Sequence, residues 1–464
     1  MTTTAESLRD TLAAFVRVSE SESDRDLHGA DMTFHRPRRP DLVVYPTSTD
    51  EVSRTLALAN ERRVAVTPWG AGSSLEGHVI PTQGGISLDV SGMNRVLEIA
   101  ADDLTASVQA GVTRGSLERA AGEHGLFFPV DPGADATLGG MAATNAAGTT
   151  TVRYGKMRPN VLALEAVRAD GTVIRTGSRA RKTSAGYDIQ SLLIGSEGTL
   201  AVITELRLRL YAIPEHVTAQ RIAFETLEAA CRTAAAIVAA GSAVTRLELL
   251  DARTIAEINS HFDTSYPVGP CLLVEAAGGE ATVEEDLALV RELAEAEGAL
   301  RIDEERDADG RAQLWRTRHQ AAYAGAAAWP GKRERATDTC VPVSELADAV
   351  AFARAELERL TLSGAIIGHA GDGNFHVGLQ VDPDDREELA RADELVASLV
   401  ADALARGGTC TGEHGVGLGK IGALEREHGD LIPLMRGIKQ LFDPNGILNP
   451  GKIFTTTPPH REEH

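Results

Sequence analysis

The stretch Pro68-Trp69-Gly70-Ala71-Gly72-Ser73-Ser74-Leu75-Glu76-Gly77-His78 decides how this chain is interpreted, because it places a glycine-rich loop directly after an apolar strand at residues 64–66. The loop comes close to two known phosphate-binding loops and matches neither. His78 stands where a Walker A loop has lysine, and Leu75 stands where the dinucleotide fingerprint has its last glycine. Backbone N–H groups of such a loop can still surround a diphosphate, but a plain glycine-rich turn explains it equally well.

The residues before this loop predict a βαβ unit. Residues 42–45 are apolar and predict a strand, and Ser48 and Glu51 have the spacing of a helix capping box. The apolar stripe of the helix that follows is predicted to consist of Val52, Leu56, Ala57 and Ala59. Residues 5–20 have helical spacing and predict a further helix ahead of the unit.

Two more segments are rich in small residues, 131–148 and 195–204. Glycine, alanine and threonine give little packing mass, but they let the backbone approach a large flat group such as the isoalloxazine ring of a flavin. Strands are predicted at 200–204 and 207–210, after the second of these segments. Three such segments at wide separation are difficult to explain as turns, so together they predict a bound nucleotide cofactor.

Length and composition limit the functional classes. A chain of 464 residues can bury two cores, and a net charge of -21 excludes nucleic acid and anionic membranes as favoured partners. We find no run of eighteen apolar residues, so no transmembrane segment is predicted. The acidic N-terminal sequence does not resemble a targeting signal, so we expect a cytoplasmic protein, and attachment to the inner face of the membrane stays open. Widely spaced cysteines predict buried thiols at Cys231, Cys271, Cys340 and Cys410.

Residues 366–379 carry a candidate metal site. They predict two strands joined at Asp372-Gly373, a preferred two-residue hairpin turn. In that register His369 and His376 face each other with Cβ atoms about 5 Å apart, which is half of a divalent metal site. Glu413 is the candidate third ligand, and two histidines with one carboxylate leave coordination positions open, as catalytic sites do. Zinc, manganese and iron all accept this set. A single histidine here would more simply be a hydrogen-bonded structural residue.

Seven motifs then occur in one order: PWGAGSSLEG, DPGADATLGGMAATNAAGTTTVRYGKMRPNVLALEAV, SAGYD, IGSEGTLAVIT, GHAGDGNFH, CTGEHGVGLGK and FDPNGILNPGKIF. From about residue 40 to 454 the chain resembles the FAD-dependent D-lactate dehydrogenases, which are flavoproteins of the vanillyl-alcohol oxidase type. Flavin subunits of glycolate oxidase and D-2-hydroxyglutarate dehydrogenases are close relatives of that family. The resemblance implies an α+β fold with a two-subdomain PCMH-type FAD-binding domain, an α/β cap domain that binds substrate, and a C-terminal tail returning to the FAD domain.

On this resemblance we divide the chain into four parts. They are an N-terminal helical segment (1–35), the PCMH-type FAD-binding domain (36–215), the cap domain that binds substrate and metal (216–430), and a C-terminal helix and tail (431–464) that pack on the FAD domain.

The resemblance also implies which residues contact FAD. They are Pro68, Trp69, Gly70, Ala71, Gly72, Ser73, Ser74, Gly77, Pro132, Gly133, Ala134, Thr137, Gly139, Gly140, Thr144, Asn145, Gly148, Thr149, Tyr154, Gly155, Glu197, Gly198, Ile203 and Asn449. In relatives with covalent flavin, a histidine of the first loop carries the bond. Ser73 stands at that position here, so we expect non-covalent FAD.

The roles implied for the remaining site residues concern substrate and metal. The resemblance assigns His369, His376 and Glu413 as ligands of a divalent metal, His414 as the general base, and Arg318 and Asn374 as substrate contacts. Arginine suits a substrate carboxylate because its planar fork binds both oxygens. Arg316 is also nearby, but we expect it to be a surface residue.

Relatives that are specific for hydroxyglutarate carry a threonine and a lysine for a second carboxylate. Ala322 and Ala336 occupy those positions here, which favours lactate or a longer apolar 2-hydroxy acid. Lys332, Arg333 and Arg335 are close in sequence, so a dicarboxylate substrate stays open.

We therefore expect oxidation of a D-2-hydroxy acid to the 2-oxo acid, with a hydride passing to FAD. The electrons would continue to a cytochrome, a quinone or an electron-transfer flavoprotein rather than to NAD. Three alternatives stay open: a flavin subunit of glycolate oxidase or a D-2-hydroxyglutarate dehydrogenase, a transferase similar to alkyl-dihydroxyacetonephosphate synthase, and a flavin-binding protein without catalysis. Whether the chain forms a homodimer is also left open.

Overall fold

The computed structural model describes residues 2–262 and 264–455, and the side chains of residues 2–7 and of Ala322 lie outside this description. The chain divides into two compact units. The first comprises Met1–Ala146, Lys156–Ile213 and Glu413–His464, and the second comprises Ala147–Gly155 and Pro214–Gly412. The predicted four-part division into N-terminal, FAD-binding, cap and tail segments stays a prediction.

The elements are numbered in chain order. The strands are β1 (Arg17–Ser19), β2 (Leu42–Tyr45), β3 (Val66–Trp69), β4 (Ile86–Asp89), β5 (Val96–Ala100), β6 (Thr105–Gln109), β7 (Leu126–Phe127), β8 (Val161–Arg168), β9 (Val173–Gly177), β10 (Ala201–Arg209), β11 (Tyr211–Ala212), β12 (His216–Ala223), β13 (Arg246–Leu250), β14 (Cys271–Gly278), β15 (Arg301–Glu305), β16 (Arg333–Ala336), β17 (Thr339–Cys340), β18 (Gly364–His369) and β19 (Asn374–Val381). The α-helices are α1 (Thr2–Ala13), α2 (Glu22–Leu27), α3 (Thr49–Arg62), α4 (Arg114–Gly122), α5 (Leu138–Thr144), α6 (Thr151–Tyr154), α7 (Met157–Asn160), α8 (Ile189–Leu193), α9 (Leu227–Ala239), α10 (Ala252–Phe262), α11 (Glu280–Ala296), α12 (Ala308–His319), α13 (Ala321–Ala328), α14 (Leu346–Arg359), α15 (Arg386–Ala405), α16 (Ile421–His428) and α17 (Ile432–Phe442).

The first sheet of the first unit has the order β1-β2-β4-β3, with β2 and β3 both parallel to β4. This is the predicted βαβ unit, with α3 as its crossover helix. The capping box is confirmed, because the Ser48 hydroxyl accepts a hydrogen bond from the Glu51 amide at 3.3 Å. The predicted stripe is wrong at Ala57, which is exposed, while Thr55 is buried beside Leu56. A period of 3.6 residues puts position 55, rather than 57, on the face of Val52 and Ala59.

Segments near both ends of the described chain form backbone hydrogen bonds with this sheet. Helix α1 ends at Ala13, so the predicted helix over residues 5–20 is too long, and β1 instead pairs antiparallel with β2. Near the other end, the Val66 amide donates to Ile447 O and the Asn449 amide donates to Val66 O, each at 2.8 Å. The predicted return of the C-terminal tail is therefore confirmed within the first unit.

The second sheet of the first unit is antiparallel, with the order β5-β6-β10-β8-β9. Strand β10 covers both strands predicted at 200–204 and 207–210. A register shift between Ile203 and Glu205 marks a β-bulge at this point. The interruption in the sequence pattern is thus a bulge in one strand and not a turn between two.

The second unit is built on one antiparallel sheet with the order β15-β12-β14-β13-β18-β19-β16, and β17 also pairs with β19. Side chains alternate between the two faces of such a sheet. Phe375, Val377 and Leu379 pack in a core with α9, α14 and α15. Leu250 packs in a second core with α10, α12 and α13, on the opposite face. Among the described helices, none has both the length and the apolar character that spanning a membrane requires.

Candidate functional site

The three glycine-rich segments converge in the first unit, although they are far apart in sequence. A Cβ on Gly70 would lie 2.3 Å from the Thr137 hydroxyl, and one on Gly198 would lie 3.0 Å from the Pro68 ring. The Glu197 amide donates to Ala143 O at 2.8 Å. The first loop therefore contacts the second and third segments directly.

The donors of this region fit a bound nucleotide. Trp69 Nε1 and Thr137 Oγ1 are buried and have no hydrogen-bond partner among the described residues. Leaving a buried donor unsatisfied costs about 1–3 kcal/mol, and FAD supplies phosphate, ribityl and ring acceptors. Gly72 has φ +65° and lies against the Trp69 indole, so a side chain is excluded there by both conformation and space.

Some predicted FAD contacts are already bonded to the protein. Ser74 Oγ donates to Asp31 at 2.7 Å, and Asn145 Oδ1 accepts from the Arg158 amide at 3.0 Å. The other predicted contacts in the first unit, whose role stays a prediction, are Ala71, Ser73, Gly77, Pro132, Gly133, Ala134, Gly139, Gly140, Thr144 and Ile203. Four predicted contacts belong to the second unit: Gly148, Thr149, Tyr154 and Gly155.

A buried ion pair links the first loop to the third segment. His78 Nε2 lies 3.4 Å from Glu197 Oε1, and the same carboxylate accepts the Val416 amide at 2.7 Å and the Gly417 amide at 2.9 Å. Burial opposes both charges, but His78 lowers the pKa of Glu197 below its usual range and Glu197 raises the pKa of His78. Asn449 Nδ2 donates to the backbone carbonyls of both residues, at 3.0 and 2.8 Å. The side-chain amide of Asn449 therefore links the C-terminal tail to the backbone of His78 and Glu197.

The predicted general base, His414, lies in the last stretch of the first unit. Its Nδ1 is 3.9 Å from Glu76 Oε1, and Lys420 Nζ is 3.3 Å from the same oxygen. The Leu418 amide donates to Glu76 O at 2.7 Å, which fixes this stretch against the first glycine loop. Glu76 therefore faces both the predicted base and a lysine, a role that its sequence position did not indicate.

The hairpin of the second unit differs from the predicted one. The two-residue turn at Asp372-Gly373 is wrong, because a four-residue loop, Ala370–Gly373, joins β18 to β19. His369 is paired with Asn374 and His376 with Ile367. The shift is two residues, so both histidines still share one face as diagonal neighbours. Their ring centroids are 5.8 Å apart, and a ring nitrogen of each lies within 4.8 Å of the other.

The hydrogen bonds of these two histidines suit a metal site. Nδ1 of His369 lies 2.8 Å from Glu248 Oε1, and Nδ1 of His376 lies 3.0 Å from Thr337 O. Both oxygens can only accept, so each neutral ring carries its proton on Nδ1 and its lone pair on Nε2. Metal-binding histidines usually donate their second N–H to a carboxylate or a backbone carbonyl in this way. The donor set therefore fits a divalent metal.

Arg318 lies on α12 and is 7% exposed. Its Nη2 is 2.6 Å from Glu248 Oε2, so Glu248 contacts both Arg318 and His369. Arg318 Nε is buried and has no hydrogen-bond partner in the described part of the chain. A substrate carboxylate would supply the acceptor that this N–H lacks.

Asn374 is held by the residues around it. Its Nδ2 donates to Asp338 Oδ1 at 2.8 Å and to Thr339 O at 2.7 Å, which uses both amide hydrogens. Asp338 also accepts from Thr411 Oγ1 at 2.6 Å, and a Cβ on Gly412 would lie 2.2 Å from Asn374 Nδ2. Glu413 is the next residue along the chain, and its role as third ligand stays a prediction.

Reasoning from sequence missed Glu248 and Asp338, the two buried carboxylates that hold the site side chains of the second unit. Glu248 had a visible signal, since it is the lone acidic residue of the apolar strand Leu247-Glu248-Leu249-Leu250. Buried carboxylates require partners, so such a residue predicts a polar neighbour. The sequence does not reveal which neighbour it is.

Comparison with known proteins identifies relatives over most of the chain. The family model for FAD linked oxidases, C-terminal domain, matches residues 213–453, and the model for the FAD binding domain matches residues 40–177. A Danio rerio protein named "Probable D-lactate dehydrogenase, mitochondrial" is 42% identical, covering 96% of this chain and 90% of the relative. The mitochondrial D-lactate dehydrogenase (cytochrome) of Arabidopsis thaliana is 41% identical over 94% of this chain and 77% of its own, and a glycolate oxidase subunit of Bacillus subtilis is 36% identical over 94% and 93%.

Solved structures confirm the fold alone. A 4-ethylphenol oxidase from Gulosibacter chungangensis has a TM-score of 0.79 at 18% identity, covering 97% of this chain and 96% of its own. An alkyldihydroxyacetonephosphate synthase has a TM-score of 0.77 at 20% identity, covering 96% and 85%. The predicted α+β fold of the PCMH type and the predicted resemblance are therefore confirmed, and the chain belongs to the family of FAD-linked oxidases.

Proposed function

We propose that this chain oxidises a D-2-hydroxy monocarboxylic acid, such as D-lactate, to the corresponding 2-oxo acid. The observation that carries the proposal is the buried Arg318, which has an unsatisfied Nε and shares Glu248 with His369. A cation for one carboxylate thus lies beside a predicted metal ligand. The names of the relatives, which include several D-lactate dehydrogenases, support the same reaction.

Each predicted site residue has its own role in this reaction. Arg318 binds the substrate carboxylate, and Asn374 contacts the substrate. When bound, FAD supplies the two-electron acceptor, and a divalent metal at His369, His376 and Glu413 supplies a Lewis acid for the C2 hydroxyl. His414 accepts the hydroxyl proton, because an imidazole ionises near neutral pH. The C2–H bond breaks with its electron pair and the C2–O bond becomes a carbonyl.

The surroundings of β16 support a substrate with a single carboxylate. Glu334 and Ala336 alternate with Arg333 and Arg335 along this strand, so the two arginines point to the face opposite that of His376. Arg335 also pairs with Asp393 at 2.5 Å. The two basic side chains of β16 are therefore directed away from the proposed substrate.

The acidic residue of β16 adds to this preference. Burial and the charge of Glu257 raise the pKa of Glu334 to about 7, so a further anion beside it would be disfavoured. Lys332, the third basic residue near this strand, pairs with Glu388 at 2.7 Å. Together these contacts leave a second substrate carboxylate without a dedicated cation.

We also propose a cytochrome as the electron acceptor, because three relatives carry that word in their names. We likewise propose, rather than infer from the fold, a cytoplasmic location and a homodimer. The relatives include mitochondrial proteins.

Anaerobic mixing of the purified flavoprotein with D- and L-2-hydroxy acids tests the activity. D-Lactate and D-2-hydroxybutyrate should bleach the flavin, while their L-enantiomers and D-2-hydroxyglutarate should bleach it at least tenfold more slowly. Glycolate separates the lactate assignment from that of a glycolate oxidase subunit. Fastest reduction by glycolate, or no reduction by any hydroxy acid, would overturn the proposal.

A further inference from the structure

Glu248 holds two functional side chains with its two carboxylate oxygens. It is 0% exposed and is paired with His369 across β13 and β18. Oε1 lies 2.8 Å from His369 Nδ1, and Oε2 lies 2.6 Å from Arg318 Nη2. One buried anion thus accepts a hydrogen bond from a predicted metal ligand and forms an ion pair with a predicted substrate cation.

We propose that Glu248 is the positioning residue that fixes both His369 for the metal and Arg318 for the substrate carboxylate. The inference rests on the proposed function. It adds Glu248, which was given no direct role in the proposed reaction. The carboxylate keeps the His369 proton on Nδ1 and directs Nε2 toward the metal. It also neutralises the buried Arg318 of α12 and limits the rotation of its guanidinium plane.

Glutamine, the isosteric amide, cannot position both His369 and Arg318. Both neighbours of Glu248 are donors, and glutamine offers one acceptor oxygen and one NH2 group. In Glu248→Gln one neighbour therefore faces a donor and must turn away. Aspartate keeps two acceptor oxygens on a stem shorter by about 1.5 Å, so it restores part of the arrangement.

The matched control is Glu275 on the neighbouring strand β14. It is also a buried glutamate, and its Oε2 accepts from the Trp315 indole at 2.6 Å, one turn before Arg318 on α12. Its hydrogen bonds include neither Arg318 nor a histidine among the described contacts. Glu275→Gln therefore measures the general cost of removing a buried charge from this sheet.

The test compares wild type, Glu248→Gln, Glu248→Asp and Glu275→Gln as FAD-loaded proteins. Zinc affinity is measured after chelation by competition with a chelating dye, and kcat and KM are measured with D-lactate. We expect Glu248→Gln to lower zinc affinity at least tenfold and to raise the KM for D-lactate at least tenfold. Glu248→Asp should recover part of both losses, and Glu275→Gln should stay within twofold of wild type in both.

The two readouts separate this inference from the proposed function. Unchanged zinc affinity and KM in Glu248→Gln, or equal losses in Glu275→Gln, would overturn the positioning role. A wild-type protein that binds zinc but oxidises no hydroxy acid would overturn the proposed function, and the zinc measurement would still decide whether Glu248 positions His369.

Discussion

Ala336 lies directly opposite Gly378 in the pairing of β16 with β19, on the sheet face that also carries His376. Directly paired residues have Cβ positions about 5 Å apart, and residues two apart on one strand share a face. A long side chain at position 336 would therefore extend over the face of the predicted metal ligand. Position 336 is therefore the place at which the proposed substrate preference can be tested.

Ala336→Lys should admit a second carboxylate. We expect kcat/KM for D-2-hydroxyglutarate to rise about tenfold or more, equivalent to ~1.4 kcal/mol, because the lysine gives that carboxylate a cation. Adding Glu334→Gln should increase the gain, since it removes a competing anion. Arg333→Ala, an exposed change on the opposite face, is the control and should alter nothing. No gain for the dicarboxylate in either lysine variant would show that this face does not select substrates.

Loss of either metal-site histidine should separate cofactor binding from chemistry. In His376→Ala and in His369→Ala, flavin content should match wild type while reduction by D-lactate falls at least a hundredfold, because the hydroxyl is no longer acidified. Metal analysis should show a matching loss of bound metal. His261→Ala, an exposed histidine of the same unit, is the control. Full activity in a protein shown to contain no metal would contradict the metal requirement.

FAD should be held without a covalent bond, because Ser73 replaces the histidine that carries the bond in some relatives. Precipitating the purified protein with acid should release all of the yellow colour into the supernatant, and chromatography should identify it as FAD. Yellow colour that stays in the washed pellet would disprove this prediction.

The contact between the first two glycine-rich segments leaves no room for a side chain. Gly70→Ala would place a methyl group 2.3 Å from the Thr137 hydroxyl and must displace one of the two segments. We expect FAD affinity, measured by fluorescence titration, to fall at least tenfold. Gly122→Ala adds the same methyl group in open space at the end of α4 and should bind FAD as wild type does. Equal affinities in the two variants would rule out this close approach.

The raised pKa of Glu334 predicts how stability depends on pH. Folded protein keeps this carboxyl protonated up to about pH 7, whereas the ordinary pKa of a glutamate is 4.5, so wild type loses unfolding free energy as the pH rises between these values. Each pKa unit is worth about 1.4 kcal/mol, and partial exposure reduces the total to about 2 kcal/mol. Urea denaturation should therefore show Glu334→Gln equal to wild type at pH 4.5 and about 2 kcal/mol more stable at pH 8. Glu358→Gln, an exposed change, should show no such trend.

Sequence predicted the elements whose signals are local. The capping box at Ser48 and the tail around Asn449 lie where their short patterns indicated. The strand before the first glycine loop exists, but it spans Val66–Trp69 and not the predicted residues 64–66. The convergence of the three glycine-rich segments was predicted because small residues let the backbone surround a large flat cofactor. These features depend on chain conformation and residue size, which a single sequence carries.

Features that depend on distant partners were not predicted. The loop after His369 has four residues, and its Gly373 lies against the Val341 carbonyl, a contact that the hairpin sequence does not contain. Likewise, β1 forms because β2 offers it an edge, although residues 17–19 read as part of a helix. Glu248 was visible as a charge among leucines, but its partners come from β18 and α12.

The pairing of Val66 with the chain around Leu448 has a consequence for biosynthesis. The ribosome synthesises the glycine loop after β3 almost four hundred residues before the segment that borders β3. The edge of β3 therefore lacks this partner through most of translation. All residues of the second unit precede Glu413, so they are synthesised before the last stretch of the first unit. Flavin capture by the nascent chain should therefore be a late event, following release from the ribosome rather than emergence of the loop.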